Sequence, residues 1–324
     1  MKVVIPGGTG QVGTILSRAF HEAGHEVVVL SRKPQKAAWR VLTWDAATLG
    51  DWAVELEAAD VLINLVGRSV NCHYNAKNRQ LIKESRVNST RIVGEAITHT
   101  SHPPRVWLQA STATIYAHRY DAPNDEKTGI LGGAEPNAPD TWRFSIDVAT
   151  AWERALNESA TPHTRKVLMR SAVTMSPDRG GIFDTLLGLV RYGLGGRAGD
   201  GRQYVSWIHD HDFVSAVFWL LEHDELEGPV NLAAPNPVPN AEFMRTLRAA
   251  WGIPLGLPAT AWMLEIGAIF LQTETELILK SRRVIPSRLL QSGFTFQFPS
   301  WTEAARDLCQ RRRDMNENVK RQAA

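Results

Sequence analysis

The run Lys2-Val3-Val4-Ile5-Pro6-Gly7-Gly8-Thr9-Gly10-Gln11-Val12-Gly13 leaves few folds open to this chain. Residues 2–5 read as a short buried strand, and an amphipathic run of Val12, Ile15, Leu16, Ala19 and Phe20 follows the glycines at once. A strand that breaks on glycine and restarts as a helix leaves backbone N–H groups unpaired at a helix N-terminus. The dipole is positive there, so phosphate is favoured. Gly7 permits the tight turn, Gly10 lets backbone approach a pyrophosphate, and Gly13 brings the helix close to the sheet. A spaced glycine triplet alone is weak evidence. Between a strand and a helix it reads as a dinucleotide site, with Gly7, Thr9, Gly10, Gln11, Val12 and Gly13 at the phosphates.

Residues 25–30 form the second strand of a βαβ unit. An acidic residue about 20 positions beyond the glycines would hold the ribose hydroxyls of NAD. The chain has Ser31-Arg32-Lys33 there and no carboxylate. A guanidinium donates two parallel hydrogen bonds to phosphate oxygens, so the expected cofactor is NADP(H), held through its 2′-phosphate. A solvated basic turn is the alternative. Residues 41–44 read as a third strand ending at Asp45, beside the adenine. Residues 60–65 are nearly all apolar, as a strand buried on both faces requires, and run into Asn64-Leu65-Val66-Gly67 at the cofactor edge of the sheet. A helical pattern spans Ala76–Thr98, a fifth strand covers 105–108, and a sixth covers 167–171. Arg170, near the end of that sixth strand, joins the expected cofactor set. Regular alternation of strand and helix predicts an α/β fold, a Rossmann-type doubly wound parallel sheet.

After the fifth strand comes Ser111-Thr112-Ala113-Thr114-Ile115-Tyr116. Together with Gly7-Gly8-Thr9-Gly10-Gln11-Val12-Gly13 and Asn64-Leu65-Val66-Gly67, it resembles an extended short-chain dehydrogenase/reductase, the superfamily of nucleotide-sugar epimerases and dehydratases. The resemblance places Thr112 at the catalytic Ser/Thr, with Ser111 beside it. It also implies a Tyr-x-x-x-Lys pair on the next helix, in which lysine lowers the tyrosine pKa and the tyrosine moves a proton as hydride moves. Here that helix reads Trp142-Arg143-Phe144-Ser145-Ile146-Asp147-Val148-Ala149-Thr150-Ala151-Trp152-Glu153. The tyrosine position falls on Phe144 or Ser145 and the lysine position on Val148 or Ala149. The usual relay is absent. Tyr116, Tyr74, His209 or a water is left to carry the proton, with packing the alternative role for Tyr116 and a structural hydrogen bond the alternative for His209.

Phe followed by Trp-Glu, then Gly180-Gly181-Ile182, Ser206-Trp207-Ile208-His209-Asp210 and Arg283-Val284-Ile285-Pro286, is similar to the atypical, epimerase-like branch of that superfamily, which has a small C-terminal domain. The similarity runs to about residue 306. It implies an NADP(H)-binding domain over 1–250, with residues from about 171 on the substrate side, a small mixed C-terminal domain over 251–306 that closes over the site, and a charged tail over 307–324. An oxidoreductase or epimerase acting on a small carbonyl or hydroxyl compound is the expected function. A catalytically silent sensor or scaffold that binds the same cofactor is the alternative. Long paired helices in the superfamily point to a homodimer.

Outside these motifs the sequence mostly excludes. A formal charge of +2 argues against nucleic acid or anionic membrane as a partner. The apolar stretch 261–279 is broken by Glu265, Glu274 and Glu276, so it does not read as a membrane span. Cys72 and Cys309 lack metal-ligand spacing and read as plain thiols of a reducing compartment, the cytoplasm by default. His209-Asp210-His211-Asp212 opens a helix, but neighbours two apart do not share a helix face, so no metal is expected. The glycine-rich stretch 193–203 reads as a loop able to close over a ligand. Phe294, Phe296 and Phe298 alternate with the period of a strand, and Arg311-Arg312-Arg313 read as part of a fraying, solvated helix.

Overall fold

The computed structural model describes residues 1–136, 138–260 and 276–323. The chain folds into two compact units. Met1–Ile115, Pro136–Ser171 and Val214–Val230 form the first; Tyr116–Glu135, Ala172–Phe213 and Asn231–Ala324 form the second.

The first unit is built on β1 (Lys2–Pro6), α1 (Gln11–Glu22), β2 (Glu26–Ser31), β3 (Arg40–Thr43), β4 (Val61–Asn64), α2 (Ala76–Thr98), β5 (Val106–Thr112), α3 (Asp140–Asn157) and β6 (Arg165–Ser171). In space the strands run β6-β5-β4-β1-β2-β3, and the strand Gly228–Leu232 lies beside β6 as the seventh. Val3 pairs in parallel with Val27 on one side and Val61 on the other. The strand order therefore reverses between β1 and β4, and a right-handed crossover puts α1 on one face of the sheet and α2 on the other. A doubly wound parallel sheet results. Val4, Val28, Leu30, Leu62 and Trp107 pack against Ile92, Val93, Ala96 and Ile97 of α2, all buried. The near-continuous apolar strands are what two covered faces demand. β5 runs further than its apolar residues suggest, to Thr112, because β6 supplies parallel partners through Thr112↔Ser171.

The second unit carries short strands, Val173–Met175 parallel with Trp207–His209 and Tyr204–Val205 antiparallel with Val238–Pro239. Its core gathers Phe183, Leu187, Trp207, Phe243, Trp301 and Leu308, with Phe243 stacked on Trp301 at 4.0 Å.

Several expectations are corrected here. Phe294, Phe296 and Phe298 do not form a strand. The carboxylate of Asp212 takes the N–H groups of Gln297 and Phe298 at 2.7 and 2.9 Å, so those donors never reach a neighbouring strand. The arginine triplet is not solvated either. In the helix Trp301–Ala323, Arg311 is held by Asp210 and Asp307, Arg312 by Asp184 and the Pro177 carbonyl, and Arg313 lies over the Trp251 ring at 4.5 Å. The glycine-rich stretch 193–203 is tied down by Gly196 N–H on Leu257 O and Gly199 N–H on Ala259 O. Most of the stretch 261–279 lies outside the described residues. Among those described, no helix is long and apolar enough to cross a membrane. Both cysteines are free thiols, and burial pushes Cys309 up to about 12.

Candidate functional site

A groove of about 750 Å³ opens at the carboxyl ends of β1, β2 and β4, the switch point where open α/β sheets bind ligands. Gly7, Thr9 and Gly10 line it from the first turn, Ser31, Arg32 and Lys33 from the end of β2, and Leu65, Val66 and Gly67 from the end of β4. The glycines have separate jobs. Gly7 sits at φ +76°, and a Cβ there would meet the Leu65 carbonyl carbon and the Val66 nitrogen at 2.9 Å. A Cβ on Gly13 would drive into Gly8 at 2.5 Å, whereas one on Gly10 would meet only the Gly7 carbonyl oxygen, at an ordinary 3.8 Å. Two glycines thus close the turn, and the third leaves room over the groove.

The N-terminus of α1 is laid open. Its N-cap, Gly10, gives no side-chain hydrogen bond, and the first turn holds no acidic residue. The positive end of the helix is therefore unanswered by the protein itself. Gln11 beside it keeps a buried Nε2 with no partner, a donor of the kind that a bound group satisfies. Arg32 and Lys33 stand exposed, with no carboxylate paired to either among the described residues. Ser31 shapes the turn between them, its Oγ accepting the Lys33 N–H at 3.3 Å and lying 3.5 Å from Thr9 Oγ1. Asp45 also lines the groove. The Thr48 hydroxyl and the N–H groups of Ala47 and Thr48 hold its carboxyl below the usual range. A nicotinamide adenine dinucleotide fits this donor set, which offers open helix donors to a pyrophosphate and keeps a cradle clear of Cβ atoms.

Other expected residues lie elsewhere. Asn64 is buried beneath the groove. Its Nδ2 donates to Gln109 Oε1 at 3.0 Å and its Oδ1 accepts the Val66 N–H at 3.2 Å, so it shapes the turn rather than lining it. Val12 is not among the groove's lining residues, and neither is Arg170. Both carboxylate oxygens of Glu153 accept from Arg170, at 2.8 Å each, and Ser111 Oγ donates to the same carboxylate at 2.5 Å. All three residues are buried. Ser111 has therefore committed its one proton and can only accept elsewhere. Thr112 has the opposite polarity: its Oγ1 accepts the Thr114 N–H at 3.1 Å, leaving its own proton to donate. Tyr116 and His209 belong to the second unit. Tyr116 donates to Asn231 Oδ1 at 3.0 Å. His209 is fully buried, with Nε2 on Asp307 at 2.9 Å and Nδ1 accepting the His211 N–H at 3.2 Å. Burial lowers it to about 4, which keeps the ring neutral.

Sequence reasoning missed the α2 wall of the groove, formed by Leu81, Glu84, Ser85 and Asn88 at one-face spacing, and Arg68 in the loop before it. It also missed Arg86. Arg86 donates through Nη1 to the carbonyls of Arg68 and Ile82, lies over the Trp152 ring at 5.0 Å, and backs onto Gly67, whose added Cβ would stand 3.1 Å from its guanidinium carbon. No carboxylate pairs with it among the described residues. A lone arginine on a helix carries no sequence signal, since only the fold brings Gly67 to it. A second cavity of the same volume, at the opposite ends of β5 and β6, is lined by Arg105, Arg165 and Lys166. Those cations are already bonded to Asp224 and to the carbonyls of Leu220, Leu221, Leu226 and Ser159, so they brace the helix Asp210–Glu222 rather than wait for a ligand. No cluster of metal-ligating side chains occurs among the described residues.

Residues 3–233 match the model of the NAD dependent epimerase/dehydratase family, and residues 259–308 match a domain of unknown function, DUF1731. The chain is 32% identical over 311 residues to the human epimerase family protein SDR39U1, covering 95% of this chain and 99% of that one. It is 30% identical over 303 residues to the Bacillus subtilis epimerase family protein YfhF, covering 92% and 94%. The crystal structure of the human protein (isoform 2) with NADPH superimposes with a TM-score of 0.83 at 30% identity, covering 96% of this chain and 99% of that one.

Proposed function

This chain belongs to the NAD dependent epimerase/dehydratase family, and from that premise we propose that it binds NADP(H) in the groove at the β1–β4 switch point and moves hydride to or from a small carbonyl or hydroxyl compound. The observation that carries the reading is the pairing of an uncapped α1 N-terminus with Arg32 and Lys33, two cations that no carboxylate answers among the described residues. The glycine turn holds the pyrophosphate, Arg32 and Lys33 the 2′-phosphate, and Trp44 and Asp45 border the adenine. Arg86, behind Gly67, holds the Arg68 carbonyl and so backs the β4 end of the groove. The human relative whose structure contains NADPH supports the same choice of cofactor. The nicotinamide supplies or receives the hydride; the chain orients the partner. Thr112, with its proton free, donates to the reacting oxygen, and the Ser111–Glu153–Arg170 group fixes the end of β5 behind it.

A second reading, cofactor binding without hydride transfer, is favoured by one observation: Phe144 and Val148 pack with Tyr74 and Ile82 in an apolar cluster where the relay would lie. Fluorescence titration with NADPH and NADH, followed by loss of reduced-nicotinamide absorbance across a panel of aldehydes and ketones, separates the two. Tight NADPH binding with turnover of a panel member supports the first reading. Binding with no turnover supports the second, and no binding of either cofactor contradicts both.

A further inference from the structure

Among the described residues, two other than glycine hold left-handed backbone, Ala46 at φ +64° and Ala58 at φ +56°. Ala58 lies between the short helix Asp51–Leu56 and β4, off the groove's lining; Ala46 lines the groove, in the turn after β3, with Trp44, Asp45 and Ala47. A methyl group crowds the backbone in that region, and alanine has no polar side chain to offset the cost as asparagine or aspartate does. Something outside the residue must hold it there. The preceding side chain does so. Asp45 Oδ1 accepts the N–H groups of Ala47 and Thr48 at 2.8 and 2.9 Å, and Oδ2 accepts the Thr48 hydroxyl at 2.6 Å. The carboxylate thus bridges over Ala46 and closes the turn. Both ends of the turn are anchored. The Trp44 N–H donates to Ser31 O at 3.1 Å, at the end of β2, and Trp52 Nε1 donates to Thr48 O at 3.1 Å. Trp44 and Trp52 meet edge-on with centroids 4.9 Å apart, and Ala46 packs half-buried against the core they belong to.

We propose that Asp45 is a positioning residue of the cofactor groove: it holds Ala46 in left-handed backbone and so sets the wall of Ala46 and Ala47 against which the adenine lies. The proposal rests on the NADP(H) reading above and gives Asp45 a part in it other than gripping the base. Three of the roughly four acceptor sites on its carboxylate are taken by its own turn. Relaxation of φ at Ala46 redirects the chain at Ala47, and both residues line the groove, so the strain sits where a ligand feels its release. A wall that is preset spares the cofactor the cost of ordering it on binding.

The test is calorimetric titration of NADPH into the full-length protein, into Asp45→Ala, Asp45→Asn and Ala46→Gly, and into the double variant Asp45→Ala/Ala46→Gly. Asp45→Ala frees Ala46 to leave the left-handed region. With about a tenth of the molecules keeping the competent turn, NADPH binds about 10-fold more weakly. Asp45→Asn keeps an Oδ1 for the N–H groups of Ala47 and Thr48 and stays within about threefold of the parent. Ala46→Gly also stays within about threefold, because glycine enters the left-handed region without strain, and in the double variant it returns most of the lost affinity. A double variant as weak as Asp45→Ala overturns the proposal, since the carboxylate would then act on the cofactor directly. An Asp45→Ala variant that binds as tightly as the parent, with only its thermal midpoint lowered, overturns it as well. In both cases a parent protein that binds NADPH leaves the cofactor reading standing, whereas a parent that binds neither NADPH nor NADH overturns the two together.

Discussion

Two basic stretches of this chain look alike in sequence and behave as opposites in the fold. Ser31-Arg32-Lys33 ends β2 with its two cations exposed and unpaired among the described residues; Arg311-Arg312-Arg313 lies in the C-terminal helix with every guanidinium engaged. Asp210 takes Arg311 in a two-point pair at 2.8 Å, and Arg312, 6% exposed, reaches Asp184 and a backbone carbonyl. The difference separates cations that the described fold leaves open from cations consumed by the scaffold. Charge that the protein leaves uncompensated, beside backbone donors it also leaves open, marks the place where an anion from outside completes the structure.

The largest effect expected is on the consumed side. Arg311→Met leaves Asp210 buried without its partner and costs about 3 kcal/mol of stability, read by chemical denaturation. A loss below about 1 kcal/mol would erase the distinction between the two stretches. Next comes acid. His209, beside the same network, has an ordinary value of 6.5 and about 4 in the fold, because burial disfavours its charged form. Its contribution, on the order of 3 kcal/mol, is complete above pH 6.5 and drains away as pH falls towards 4. A His209→Gln variant flattens that slope in a stability–pH profile.

Effects on the groove side are smaller in stability and sharper in binding. Gly13→Ala places a Cβ 2.5 Å from Gly8 and shifts the turn. The variant loses about 1–3 kcal/mol, measured by thermal unfolding, together with its NADPH binding. Arg32→Ala touches no internal partner, so its stability stays within about 0.5 kcal/mol of the parent.

The same contrast explains what the sequence could and could not disclose. Gly7, Gly10 and Gly13 were legible because their work is local: the residues before and after them dictate strand, turn and helix, and α2 over Ala76–Thr98 was equally plain. The place of Arg32 at the end of β2, on the groove, was legible for the same reason, lying at a fixed distance from the glycines. The partners that hold Arg170 and Asn64 off the groove's lining, Glu153 and Gln109, were not legible, because they come from other elements of the chain. Arg311 and Arg312 were misread as solvated for the same reason, their carboxylates lying about a hundred residues away at Asp210 and Asp184. The aromatic alternation from Phe294 to Phe298 failed differently. Period two reports which face a side chain takes, and it says nothing about whether a neighbouring strand exists to receive the N–H groups that Asp212 claims here.

The most direct test of the central claim is a calorimetric comparison of NADPH and NADH binding to the parent protein and to Arg32→Ala. The account predicts that the parent prefers NADPH, and that the variant loses about 10- to 100-fold in NADPH affinity, on the order of 1–3 kcal/mol, with NADH unchanged. Equal loss for both cofactors, or no loss for either, would contradict it, because Arg32 would then be one more solvated surface charge and not a cation held open for a 2′-phosphate.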